Sequence, residues 1–196
     1  MKKNYCIRED YIIRNNIQKD GAGGDDKYQN DVYLFALDVM KKNKLTKISD
    51  IGCGLAYKFL KYFSNYNLIG YEIEPILTSL KQKYPKNKWV LSDFNSTPDF
   101  TDLVICADVI EHVDDPDELM EFIKKMRPKH LIISTPDRNI LHKKHNRPLQ
   151  GPPASKYHIR EWTFEEFNEY ISQHFKVISH KKNNSECGQV IHGITQ

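Results

Sequence analysis

Lys47-Ile48-Ser49-Asp50-Ile51-Gly52-Cys53-Gly54-Leu55-Ala56-Tyr57 is the stretch on which the fold turns. Lys47 to Ile51 has the apolar content of a short strand. It runs into two glycines one residue apart, and Phe59, Leu60 and Phe63 follow at helical spacing. A strand, a glycine turn and a helix in that order open a βαβ unit.

The same alternation continues outward in both directions. Upstream, Val32, Tyr33, Phe35, Ala36, Val39 and Met40 give an apolar helix face beginning near Asn30. Residues 20–30 are loop-like, with glycines and aspartates clustered, and residues 1–29 form an irregular N-terminal arm. Downstream, Leu68 to Ile73 is a second strand, Pro75 to Tyr84 a helix and Trp89 to Leu91 a third strand. Leu103 to Ala107 is continuously apolar, as a strand covered on both faces should be. Asp115-Pro116-Asp117-Glu118 starts a helix with an Asp cap and Pro in the first helical position. Leu131 to Ser134 is a fifth strand. The stretch from Asp137 to Trp162 lacks a regular pattern and is too long for a plain connection, which marks it as functional. Thr163-Phe164-Glu165-Glu166 is a capping box, and Trp162 with Phe167 forms its hydrophobic staple. Phe175 to Ser179 and Gln189 to Ile194 are strand-like runs flanking a polar turn from Lys181 to Ser185.

Strands alternating with helices predict one α/β domain over residues 1–196. Its sheet has seven strands and is mostly parallel, with helices on both faces and one antiparallel strand from the last hairpin. In such sheets the ligand crevice lies at the carboxyl ends of the strands.

Composition narrows the class. The 196 residues are 39% hydrophobic and 28% charged, the balance of a globular chain. Lys and Arg number 29 against 26 Asp and Glu, a net charge of +3 that does not itself argue for nucleic acid. No apolar run approaches the roughly 20 residues of a membrane span. Arg8, Glu9 and Asp10 interrupt the N-terminus before a secretory segment can build. Cys6, Cys53, Cys106 and Cys187 form no Cys-x-x-Cys pair, which suits a reducing, cytoplasmic setting.

Each strand end carries a chemical group. Gly52 and Gly54 let backbone approach a ligand, but Tyr57 stands where a dinucleotide fingerprint needs glycine. A Walker Gly-Lys-Ser/Thr is absent as well. Asp50 before the loop would repel a pyrophosphate and suits an ammonium group. Glu72, followed by Ile73, lies about 20 residues on, the spacing at which an acid takes ribose hydroxyls. Ser92-Asp93-Phe94 sets an acid beside an aromatic ring, a pair suited to an adenine amine and its face. Ala107-Asp108-Val109-Ile110-Glu111-His112 ends the fourth strand.

On Asp50-Ile-Gly-Cys-Gly54, Glu72, Asp93 and the run Cys106 to Val113, residues 28–180 resemble the class I S-adenosylmethionine-dependent methyltransferases. The resemblance implies their Rossmann-like fold and S-adenosylmethionine as cofactor. It places Asp50, Gly52 and Gly54 on the methionine part, Glu72 and Ile73 on ribose, Asp93 and Phe94 on adenine, and Ala107 on the cofactor floor. Lys58 could meet the cofactor carboxylate, and Tyr28 and Gln29 could fold over it.

The segment Gly151 to Thr163 looks like the His-x-x-Glu-Trp-Thr element of methyltransferases that accompany glycan-building enzymes. It implies O-methylation of a sugar hydroxyl on a glycan or nucleotide sugar. An attacking alcohol must lose its proton, so His158 is the candidate general base, with Asp137 a second candidate. Arg138, His112 and Arg160 are candidate acceptor-binding residues. His142-Lys143-Lys144-His145-Asn146-Arg147 could grip a phosphate. Asp108, Glu111 and Asp137 are the acids that a divalent ion would require, and no metal is expected there. An Asn/Asp-Pro-Pro-Tyr-type motif and aromatic interleaving are both missing, so no nucleic acid is expected either. The alternatives are another small-molecule or nucleic-acid methyltransferase and a silent module that keeps the fold for a partner.

Overall fold

The computed structural model describes residues 7–12, 28–153, 155–183 and 188–196. The glycine-rich residues 20–27 and Cys6 and Cys187 lie outside them. Six α-helices are present among the described residues: α1 (Asn30–Lys42), α2 (Tyr57–Phe63), α3 (Ile76–Lys83), α4 (Pro116–Lys125), α5 (Arg138–Lys144) and α6 (Phe164–Ser172). A 3-10 turn, η1, spans Ile110–His112. The strands are β1 (Lys47–Ile51), β2 (Asn67–Glu72), β3 (Lys88–Leu91), β4 (Leu103–Ala107), β5 (His130–Pro136), β6 (Lys176–Asn183) and β7 (Gly188–Ile194).

They form one seven-stranded sheet in the order β3-β2-β1-β4-β5-β7-β6. β1 to β5 are mutually parallel, and β7 runs antiparallel to both β5 and β6. The strand order reverses between β1 and β4, where Ile51 pairs with Cys106, so the switch-point crevice opens just beyond these two residues.

The sheet is covered on both faces, which explains the uninterrupted apolar run of β4. Val104 and Cys106 join Leu119, Phe122, Phe167 and Ile171 of α4 and α6 in one core. Leu103, Ile105 and Ala107 join Val32, Met40, Phe59 and Leu80 of α1, α2 and α3 in the other. Period-two alternation assigns β4's five residues to these opposite faces.

The caps are those expected. Asp115 accepts from the Asp117 amide at 3.0 Å with Pro116 at the start of α4. Thr163 and Glu166 exchange both capping-box bonds at α6, and the Trp162 and Phe167 rings lie 5.9 Å apart.

Two expectations are corrected. The stretch 137–162 is not irregular throughout, because α5 occupies Arg138–Lys144 behind an Asp137 cap. The cap is its sequence signal, since its only apolar residues, Ile140 and Leu141, are adjacent and set no helical spacing. The polar turn from Lys181 was placed too early. β6 continues through Asn183 by pairing with Gly188, and residues 184–187 lie outside the described set.

Part of the N-terminal arm has a defined place. The Arg8 amide donates to the Ile159 carbonyl and the Ile12 amide to the Lys156 carbonyl, both at 2.7 Å. The Arg8 guanidinium donates to the Pro153 carbonyl at 2.8 Å. Residues 7–12 therefore strap the loop that carries His158.

Candidate functional site

The donor side begins where β1 ends. Gly52 has φ +68°, and a Cβ there would lie 2.4 Å from Val109 Cγ2, so this position needs glycine both for conformation and for space. Beyond it, the Gly54 amide donates to Glu72 Oε2 at 2.6 Å and the Ile73 amide donates to Oε1 at 2.8 Å. One carboxylate thus ties the glycine loop to the end of β2. Ile73 itself is half exposed at its side chain.

Asp50 is fully buried on the α1 face of β1. Its Oδ2 accepts from the Tyr33 hydroxyl at 2.8 Å, while Oδ1 is buried without a hydrogen-bond partner. Burial pushes its carboxyl well up, Glu72 adds to this, and Tyr33 and Lys58 oppose it. Lys58 is buried rather than solvated, with 3% of its surface exposed. An orphaned carboxylate oxygen costs free energy until a donor arrives, and an ammonium group would supply one.

The other expected donor residues stand further apart. Asp93 is exposed, and its Oδ1 accepts from the Asn95 and Ser96 amides at 3.1 Å, which holds its carboxyl below the usual range. It shapes the turn after β3. Phe94, at φ +58°, lies with its ring 5.4 Å from Phe122. Ala107 is buried at the end of β4, and its carbonyl accepts from Gln29 Nε2 at 3.1 Å. The same amide donates to Asp108 Oδ2 at 3.1 Å, so Gln29 lies across the strand end. Asp108, at φ +53°, also accepts from the Ser134 hydroxyl at 2.7 Å.

The acceptor side converges on the turn after β4. Glu111 is 1% exposed and accepts from the Thr135 hydroxyl at 3.0 Å. Burial, with Asp108 nearby, pushes its carboxyl up to about 8. His112 Nδ1 bonds the Tyr157 carbonyl at 2.7 Å, and its Nε2 lies 3.9 Å from Glu111 Oε1. A carbonyl cannot donate, so the His112 proton sits on Nδ1. His158 meets His112 edge-on with ring centroids 5.0 Å apart, and its Nδ1 lies 2.6 Å from Glu161 Oε1. Glu111, His112 and His158 each bring one ligand atom within 4.8 Å of the others. This set fits a divalent ion better than the acids considered from sequence, and it leaves Asp137 out.

Asp137 is elsewhere engaged. It is fully buried and caps α5 by accepting from the Asn139 amide at 2.9 Å, with Lys182 Nζ 3.8 Å from Oδ2. Arg138, expected to meet an acceptor, is 5% exposed. Its guanidinium donates to the Glu161 carbonyl and pairs with Glu166, both at 3.0 Å. The Arg160 guanidinium donates to the Asp114 carbonyl beside the start of α4, and burial lowers its basicity. His142 is buried too, whereas Lys143, Lys144, His145 and Asn146 of the basic run are exposed. Arg138, Arg160 and His142 are each taken up by a protein partner that linear sequence does not reveal.

Sequence reasoning gave no role to Tyr33, Thr135 or Glu161. Glu161 was within reach, because it stands three residues after His158 in the quoted His-x-x-Glu element. Tyr33 read only as an apolar helix residue, and its hydroxyl contact is tertiary.

Comparison with known proteins agrees with this architecture. Residues 27–183 match the family described as Methyltransferase domain. No curated protein matches the sequence. Among solved structures, the methyltransferase domain of bacterial CtHen1 is 18% identical with a TM-score of 0.63, over 85% of this chain and 98% of that one. Magnesium protoporphyrin IX methyltransferase from Synechocystis PCC 6803 with bound SAH is 14% identical with a TM-score of 0.66, over 86% and 83%. The small RNA methyltransferase HEN1 is 21% identical with a TM-score of 0.65, over 91% of this chain and 26% of that one.

Proposed function

The chain belongs to the S-adenosylmethionine-dependent methyltransferase family, and from that premise we propose that it methylates an oxygen acceptor, a sugar hydroxyl, with His158 taking the hydroxyl proton. S-adenosylmethionine supplies a methyl group on a sulfonium, which is already a good leaving group. The protein's own tasks are then to hold the donor, align the hydroxyl and remove its proton. Asp50, whose Oδ1 has no hydrogen-bond partner, suits the donor's ammonium group. Glu72 suits the ribose hydroxyls, which would replace the loop amides on its oxygens.

The observation that carries the acceptor reading is the His158–Glu161 contact of 2.6 Å beside Glu111 and His112 at the end of β4. A neutral imidazole there accepts the proton as the oxygen attacks, a contribution of about 10²- to 10⁴-fold. Asp137 caps the start of α5 by accepting from the Asn139 amide. Cys53 and Cys106 are buried free thiols, which suits the reducing cytoplasm. No helix of the described residues is long and apolar enough to cross a membrane.

A second reading keeps the chemistry and changes the acceptor to RNA, whose ribose also offers hydroxyls. Residues 138–160 contain six Lys and Arg and no Asp or Glu, and Lys143, Lys144 and Lys156 are exposed. Such a surface favours a phosphate-bearing acceptor. A divalent ion on Glu111, His112 and His158 would replace the base rather than assist it, because it would occupy the His158 lone pair and itself lower the hydroxyl's pKa.

The deciding experiment transfers labelled methyl groups onto a panel of nucleotide sugars, short glycans and short RNA oligonucleotides, with and without magnesium or manganese. Product on the sugars alone supports the first reading, and product on RNA alone supports the second. Thermal stabilisation by S-adenosylhomocysteine with no product from any acceptor would favour a silent binding module.

A further inference from the structure

We propose that Glu161 is a positioning residue that keeps the proton of His158 on Nδ1, so that Nε2 presents its lone pair for chemistry. This rests on the reading of His158 given above.

Glu161 has no exposed side-chain surface, and His158 retains only 14% of its own. A carboxylate can only accept, so a contact of 2.6 Å between Oε1 and Nδ1 requires the hydrogen on Nδ1. The second ring nitrogen is then the basic one. His112 is fixed in the same sense by the Tyr157 carbonyl. The two rings that meet at 5.0 Å thus carry their protons on the nitrogens bound to the 157–161 segment.

A second ring lies beside the carboxylate: Nε2 of His142, which is 1% exposed, is 3.6 Å from Oε2 with no hydrogen bond between them. His142 Nδ1 points to the Pro148 carbonyl, so that nitrogen carries a hydrogen as well. The groups around the pair are Glu111, His112 and Asp108 from the β4–η1 side, with His142 and Arg138 from α5.

The backbone here is pinned without the Glu161 carboxylate. The Ile159 amide donates to the Glu111 carbonyl at 2.8 Å, and the Arg138 amide donates to the Trp162 carbonyl at 2.9 Å. Arg138 also holds the Glu161 carbonyl, and Gln189 Nε2 donates to the Trp162 carbonyl at 3.1 Å. Removing the carboxylate should therefore release the imidazole ring and leave the chain path in place.

The test follows the imidazole nitrogens of His158 by ¹⁵N NMR in the wild type, Glu161→Gln and Glu161→Leu. The wild type should show the Nδ1–H tautomer. Glu161→Gln keeps an accepting oxygen and should keep that tautomer, with turnover within about tenfold of wild type. Glu161→Leu should shift His158 to Nε2–H and lower kcat about 10²- to 10⁴-fold, with S-adenosylmethionine affinity unchanged by calorimetry. Turnover is read on whichever member of the acceptor panel the wild type methylates fastest.

An Nε2–H tautomer in the wild type overturns the proposal, whether or not the leucine variant folds. So does a leucine variant that keeps either the Nδ1–H tautomer or full kcat. If His158→Ala itself retains turnover while the wild type shows Nδ1–H, the base reading fails and the positioning geometry stands.

Discussion

The proposed donor half and acceptor half of this sheet differ in what their buried acids meet. At the ends of β1 and β2, Asp50 and Glu72 flank the glycine loop, and Asp50 Oδ1 has no hydrogen-bond partner. Beyond β5, Asp137, Arg138 and Glu161 are all buried and tied into a helix cap, an ion pair and a histidine contact, although Asp137 Oδ2 and Arg138 Nε lack a hydrogen bond as Asp50 Oδ1 does. An acid at the mouth of the glycine loop is placed to meet a ligand, whereas an acid or guanidinium enclosed behind β5 and engaged in a cap or an ion pair supports its neighbours. The difference teaches where to look for contacts with small molecules and where to look for scaffolding. It also makes the two halves separable by mutation.

The largest effect should come from His158→Ala. Turnover should fall about 10²- to 10⁴-fold, while calorimetry shows donor affinity unchanged. A parallel loss of donor binding would mean that the halves are not separable at this residue.

Next come Asp50→Ala and Glu72→Ala. Each removes hydrogen bonds to an ionised group, about 1.5–3 kcal/mol apiece, so donor affinity should drop about 10- to 100-fold or more. Calorimetry with S-adenosylhomocysteine measures this. Unchanged affinity in both variants would remove the donor site from this end of the sheet. Asp137→Ala should instead leave donor affinity alone and lower the melting temperature, because it uncaps α5.

Legibility divides along the same line. The strand-glycine-helix order of residues 47–63 was readable because local spacing encodes it, and so was the run of acids at successive strand ends. β4 was readable in extent because apolar continuity reports cover on both faces. The acceptor half resisted because its chemistry depends on tertiary partners. Nothing in the linear order says that Arg138 will reach Glu166, or that Tyr157 will lend its carbonyl to His112. α5 resisted for a further reason: its only apolar residues, Ile140 and Leu141, are adjacent, so its cap alone announces it.

A third measurement sharpens the comparison through pH. Glu111 titrates near 8 in the fold against 4.5 as its ordinary value. Between those values the native protein keeps a proton that the unfolded chain has released, so stability should fall as pH rises through that window. In chelator, the wild-type melting temperature should decline from about pH 5 to about pH 9 by several degrees, and Glu111→Gln should flatten that decline. Manganese or magnesium should restore the wild type at the alkaline end and leave Glu111→Gln unmoved, if the Glu111, His112 and His158 cluster holds an ion. No response to either ion would return the site to proton transfer alone.

The smallest effect tests whether the scaffold of the acceptor half matters to chemistry at all. The Thr163 hydroxyl accepts from the Glu166 amide at 3.2 Å, and Glu166 returns the bond to the Thr163 amide at 2.9 Å while also pairing with Arg138. Thr163→Ala deletes one cap and should cost about 1 kcal/mol, a lowering of about 2–4 °C in a chain of this length. Because Glu166 also steadies the guanidinium that holds the Glu161 carbonyl, the loosened cap should reach His158 and not Asp50. Acceptor KM should then rise a few-fold at unchanged donor affinity. An equal change in donor affinity would mean that strain in α6 crosses the sheet, and the two halves would have to be treated as one unit.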